Sequence, residues 1–200
     1  MADTGAPHFI PFVEPTDLVR DWPALSEDVA EAVADGLDAA GGLVAVKSAI
    51  FTGTQTDAVL AGDNLTVTDL EITHALADAS NKLIISAFFG AAGTSDGRGN
   101  VGLAVHDGTG LIAIGDAEGV RTIVTAGSRV TVGADSRIVT VPSVTFVHTP
   151  NTTDSKTYTV RAMNISVSNR TLFINRSESD TNDQGSPRGV SSLVIQEVRV

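Results

Sequence analysis

A chain of 200 residues without one cysteine has no disulfide, no thiolate zinc site and no cysteine nucleophile. Apolar residues make up 42% and mean hydropathy is +0.15, enough for a real core, while charged residues reach only 18%, below the roughly 25% of an ordinary globular domain; part of the surface is therefore expected to be covered by other subunits. The net charge of −11 is uneven: residues 1–42 hold nine acids and a single base, Arg20, and such an arm repels phosphate backbones and argues against nucleic-acid binding.

The first segment, residues 1–23, reads as an extended arm. Pro7, Pro11 and Pro15 forbid a helix and favour a polyproline-like course. Between them stand Phe9, Ile10, Phe12 and Val13, with Trp22 further on. Four large apolar side chains gain nothing by facing water, so they either fold back on the chain's own core or enter a groove on a partner. A proline-stiffened segment loses less entropy on docking, which favours the partner groove and makes these five residues the candidate anchor. Met1 to Pro11 lacks a basic region and an unbroken apolar run, so no secretory signal is expected, and no stretch nears the length of a membrane span.

Residues 24–42 read as a short helix. Ser26 is the N-cap, followed by Glu27 and Asp28 where the helix dipole favours anions. Leu25, Val29, Val33 and Leu37 recur every four residues beside Ala32, Gly36 and Ala40, and Gly41-Gly42 stops the run. About fifteen residues are marginal as a lone helix in water. The helix must pack either on its own β-domain or on copies of itself, and a three-helix bundle with Leu25, Val29, Val33 and Leu37 as the seam is the preferred reading.

From residue 43 to residue 200 the pattern is β-rich. Expected strands cover 43–51, 65–74, 82–89, 101–106, 111–114, 138–148, 156–165, 170–175 and 192–198, separated by turn chemistry such as Asp107-Gly108 and the run 180–185. Tyr158, Val160 and Ala162 alternate with Thr157, Thr159 and Arg161, giving one buried and one wet face. Residues 82–89 are apolar on both sides, so that strand is central or lies at a subunit interface. The fold class expected is mainly β: an extended arm, one short α-helix, then an antiparallel β-sandwich of jelly-roll type over 43–200.

Chemistry is sparse. His8, His74, His106 and His148 show no metal-ligand spacing, so no metal site is assigned. Asp180, Asn182, Asp183 and Gly185 carry oxygen ligands that calcium uses, yet without the spacing of an EF-hand. No nucleophile elbow occurs, and Asp107 beside His106 is first of all a hairpin turn. Aromatic residues are 4%, with one Trp and one Tyr, too few for the stacking platforms of sugar-cleaving clefts. No catalytic residue and no cofactor is therefore expected, and carbohydrate recognition would have to work through loop hydrogen bonds. Five N-x-S/T sequons, at Asn64, Asn151, Asn164, Asn169 and Asn175, arise from a chain rich in Ser, Thr and Asn.

The stretch from Phe9 to Leu37, with Phe9-Ile-Pro-Phe-Val-Glu-Pro-Thr-Asp-Leu and Trp22-Pro-Ala-Leu-Ser, resembles the opening segment of tailed-phage tail-fibre and minor structural proteins. Tyr158-Thr-Val-Arg-Ala, Leu172-Phe-Ile-Asn-Arg-Ser and Val194-Ile-Gln-Glu-Val resemble the last strands of phage fibre sandwiches akin to C1q or TNF-like trimers. The resemblance implies a homotrimer on the virion, with the arm attached to a tail or baseplate protein. It also implies distal loops, such as 94–100 and 178–188, facing the host surface or adjoining fibre proteins. A phage head decoration protein and a host-side lectin or adhesin are the competing expectations.

Overall fold

The computed structural model describes residues 42–116, 118–130 and 135–200. These form twelve strands and no helix: β1 (Leu43–Phe51), β2 (Gln55–Val59), β3 (Asn64–His74), β4 (Lys82–Phe88), β5 (Ala92–Thr94), β6 (Val101–His106), β7 (Leu111–Ile112), β8 (Ala126–Ser128), β9 (Ser143–His148), β10 (Lys156–Asn164), β11 (Arg170–Ile174) and β12 (Ser191–Val198). The expected helix over 24–42 and the expected arm over 1–23 lie outside the described residues, apart from Gly42.

Every pairing is antiparallel. One sheet has the order β1-β12-β4-β9; a second has β3-β10-β6-β7, with β8 also on β6; a third, of three strands, has β2-β11-β5. Strand alternation explains how the first two sheets form layers. Leu83, Ile85 and Ala87 of β4 and Leu193 and Ile195 of β12 point to one side, and Leu70, Ile72, Tyr158, Val160, Leu103 and Val105 of the second sheet point back at them. Val59, Leu172 and Ile174 of the third sheet join the same core.

β7 and β8 lie along the same edge of β6 and behave as one strand interrupted by an excursion over residues 113–125. The chain leaves at Ala113, at φ +51°. It returns where Thr125 N–H donates to the Leu103 carbonyl (3.0 Å) and the Thr125 hydroxyl to the Ile112 carbonyl (3.2 Å). β3 carries a bulge at Asp69 (φ +59°), across from the register break between Thr159 and Arg161. The bulge shifts the alternation so that Val67 and Leu70 both face inward.

Two buried asparagines tie the connections down. The Asn164 amide donates to the carbonyls of Val59, Leu60 and Ser168 (3.0–3.1 Å). The Asn175 amide donates to Phe51 and Gly53 (2.7 and 2.9 Å), while its oxygen accepts the Ser191 hydroxyl (2.5 Å). Asn175 sits at φ +62°, a conformation Asn tolerates better than branched residues. Two sequon asparagines are thus interior clamps. Gly90 is required by packing: a Cβ there would overlap the backbone of Val190.

Candidate functional site

The strands give the body two unlike ends. At one end lie the starts of β1, β4 and β10, the ends of β3, β6, β9 and β12, and the connections 75–81, 107–110 and 149–155. Arg199 N–H donates to the Gly42 carbonyl there (3.1 Å), so the segment before β1 enters at this end. At the other end lie the connections 52–54, 60–63, 89–100, 135–142, 165–169 and 175–190.

The entry end holds the buried ionisable groups. Glu197 on β12 points inward, 1% exposed. Its Oε1 accepts Ala77 N–H (2.8 Å) and the Asn81 amide (2.6 Å), and its Oε2 lies 2.9 Å from His74 Nε2. Burial pushes this carboxyl up, but the donations from Asn81, Ala77 and His74 outweigh it and hold the acid below its ordinary value.

Nearby, Asp107 nucleates the β6–β7 turn. One oxygen accepts Thr109 N–H, Thr109 Oγ1 and Gly110 N–H, and the other takes the Lys156 ammonium at 2.5 Å. Burial opposes ionisation, but Lys156 and the Thr109 and Gly110 donors hold this carboxyl far below the usual range. Tyr158 beside it is pushed up to about 12, by burial first and then by the Asp107 charge. His148 meets the Tyr158 ring edge-on at 5.9 Å and its imidazole is pushed down, chiefly by burial. Glu197 and Asp107 are saturated by structural partners, whereas His148 Nε2 is buried without one. Asp107, His106 and His148 present no nucleophile with a base and an orienting acid, and among the described residues no three His, Cys, Asp or Glu side chains cluster as a metal site.

At the opposite end, the expected distal loops 94–100 and 178–188 are brought together through residues 135–138. Asp135 N–H donates to the Gly97 carbonyl (3.1 Å), Ser179 N–H to Ser136 (2.9 Å), and Arg137 pairs with Asp183 (2.9 Å). The acids considered for calcium are engaged otherwise. Asp180 takes Arg188 at 2.9 Å and Arg176 at 3.4 Å, and Asp183 accepts Thr181 and Gly185 besides Arg137. An open cleft of about 410 Å³ lies between Ala61-Gly62, residues 120–122 and residues 165–167. Its lips Val120 and Val167 are exposed.

The two outer faces differ most. On the second sheet, Thr66, Glu71, Thr73, Thr157, Thr159 and Arg161 face outward; Thr73 and Thr157 share a hydrogen bond (2.8 Å) and Arg161 donates to Thr66. This face is polar, with Thr157, Thr159 and Arg161 half-buried. On the first sheet the register sets Val46–Gln196–Ile84–Val147, Ser48–Val194–Ser86–Thr145 and Ile50–Ser192–Phe88–Ser143 in three rows across four strands. Not one of these twelve residues is charged. Val46 (53% exposed), Ile50 (59%), Phe88 (42%) and Val147 (62%) are open to solvent. Of the charged residues in these strands, Lys82 lies at the margin of this face, Glu197 turns into the core, and Lys47 turns toward β3, where its ammonium donates to the Thr73 carbonyl (2.8 Å).

The sequence-derived anchor residues Phe9, Ile10, Phe12, Val13 and Trp22, and the seam residues Leu25, Val29, Val33 and Leu37, lie outside the described residues. The neutral outer face was legible only in part, through the two-sided apolar character of 82–89. No protein-family model matches the chain, and no curated protein matches its sequence. The geometry itself defines the class: a mainly β protein of antiparallel sheets with one neutral and one polar outer face.

Proposed function

We propose that the chain is a non-enzymatic structural subunit of a bacteriophage particle, a short trimeric tail fibre or fibre-like appendage. Residues 1–23 anchor it to a tail or baseplate protein, and the distal loops are turned toward the host surface. The observation that carries this reading is the division of the body into two ends. The segment that brings in the arm joins at the end that holds the buried Glu197–His74 and Asp107–Lys156 pairs, and the connections 89–100, 135–142 and 175–190 gather at the other. An anchored appendage needs this separation between the point of attachment and the point of contact.

In this reading the fold is a jelly roll. Taking β7 and β8 as one strand, the eight main strands fall into two sheets of four, β1-β12-β4-β9 and β3-β10-β6-β7/β8. Every connection crosses between sheets except the β6–β7 hairpin. A head decoration protein shares the same architecture and differs only in where the arm docks.

The test is incorporation. Tagged full-length chain and a form lacking residues 1–22 are expressed during infection by a phage that encodes the chain, and purified particles are probed for each. The full chain is expected in particles, and the shortened one is expected to fold and self-associate yet stay out. Equal incorporation of both would refute the anchor; a full-length chain absent from all particles and binding free glycans would favour a lectin.

A further inference from the structure

We propose that the cleft formed by the end of β2, the start of β11 and Ser95 binds a carboxylate-bearing sugar, with Arg170 taking the carboxylate. Such a site supplies the host contact of the proposed appendage, the reading on which its biological setting rests.

Strand pairing builds the cleft. The register sets Arg170 opposite Val59 and Thr171 opposite Ala58. Ser95, just past β5, is laced to the same strand: its N–H donates to the Thr171 carbonyl (3.0 Å), and its Oγ accepts Thr171 N–H (3.1 Å). With Leu60 and Asn169 these residues line an open space of about 230 Å³. Sites for drug-sized ligands run to roughly 300–1,000 Å³, so this one suits a group the size of a single sugar ring.

Arg170 is a held cation with donors to spare. Its Nε lies 3.1 Å from Asp96 Oδ2, and both atoms are buried. Asp96 is fixed in turn through Oδ1, which accepts the Thr94 hydroxyl (2.5 Å). The Arg170 side chain nevertheless keeps 27% of its surface. Nη1 reaches only the Asn169 carbonyl, at 3.5 Å, and Nη2 donates to nothing among the described residues. A guanidinium fixed at one edge and open at the other is suited to grip a carboxylate with two parallel bonds. Both Asp96 oxygens are engaged, so the cleft offers a ligand the cation and not the acid.

The neighbouring groups suit a ring. Asn169 is pinned by its side-chain oxygen, which accepts Ala61 N–H (3.1 Å), and its amide hydrogens have no acceptor among the described residues. Ser95 Oγ still has its own hydrogen to give. Beside these donors stand the aliphatic Ala58, Val59 and Leu60, the last 61% exposed. A pyranose has the matching duality, with hydroxyls at its rim and C–H groups on its faces. A bare carboxylate would use Arg170 and leave the other donors idle. Because Asp96 and Ala61 hold Arg170 and Asn169 in place beforehand, little ordering entropy is spent on binding.

Saturation-transfer difference NMR titrations of the full-length chain compare glucuronate, glucose and acetate: a ring with a carboxylate, a ring without one, and a carboxylate without a ring. Glucuronate is expected to bind with a Kd of about 1 mM, within reach of so small a ligand. Glucose and acetate are expected to bind at least about tenfold more weakly, the worth of a lost hydrogen bond to a charged group. Arg170→Lys keeps a cation beside Asp96 but loses the fork. Ala58→Leu fills the cleft from an exposed position on an edge strand and leaves the Asp96 pair untouched. Each should weaken glucuronate at least about tenfold with unchanged circular dichroism. No binding of glucuronate, binding no tighter than glucose or acetate, or two variants that bind like wild type would overturn the inference. Entry of the chain into particles is scored separately. A failed sugar site therefore leaves the proposed appendage standing, and a chain that binds glucuronate yet never enters a particle overturns the appendage alone.

Discussion

Glu197→Ala tests the account of the entry end. The side chain accepts from Ala77 N–H, Asn81 and His74 at 2.6–2.9 Å, the last two in a buried setting and the first part-buried. Removing it strands the buried His74 and Asn81 donors, each costing about 1–3 kcal/mol, while Ala77 N–H is open enough for water to replace the lost acceptor. A net loss of roughly 4 kcal/mol lowers the melting temperature by about 8–16 °C for a domain of this size. Glu197→Gln keeps the shape and one acceptor for Ala77 and Asn81, so it should lose roughly a third of that.

The pH dependence has a definite sign. The carboxyl is held below its ordinary value of 4.5 because the donors from Asn81, Ala77 and His74 outweigh burial. Its contribution is thus complete above pH 4.5 and disappears as pH falls through the lower folded value. Scanning calorimetry of wild type and Glu197→Ala from pH 7 to pH 3 should show a gap that narrows in acid. A shift below about 3 °C at pH 7, or a gap that widens in acid, would refute the reasoning.

Two other consequences can be measured directly. Tyr158 is the only tyrosine, and its phenol, pushed up to about 12 by burial and by the Asp107 charge, should titrate at a lower pH in Asp107→Asn when followed by absorbance near 295 nm; an unchanged midpoint would remove Asp107 as a cause. Asn175→Ala deletes the donors to Phe51 and Gly53 and the acceptor for Ser191; a loss of about 3–5 kcal/mol is expected in urea unfolding, with faster amide exchange over 178–190, while exchange in β10 and β6 rises only as global stability falls.

Strands that alternate apolar and polar residues could be read from the sequence. Leu43–Phe51 has the same bounds in both, and β4, β6, β10, β11 and β12 agree within a residue. The expected 138–148 strand begins only at Ser143. Pro142 has no N–H to add to a ladder, and the residues before it form a turn in which Ile138 N–H donates to Asp135. β2, β5 and β8 were not foreseen. Gln55-Thr-Asp-Ala-Val, Ala92-Gly-Thr and Ala126-Gly-Ser have no apolar rhythm and exist because a neighbouring strand offers hydrogen bonds. Glu197 was equally opaque. In isolation Gln196-Glu197 reads as surface, and the groups that hold the acid inside, His74 and Asn81, are 123 and 116 residues away.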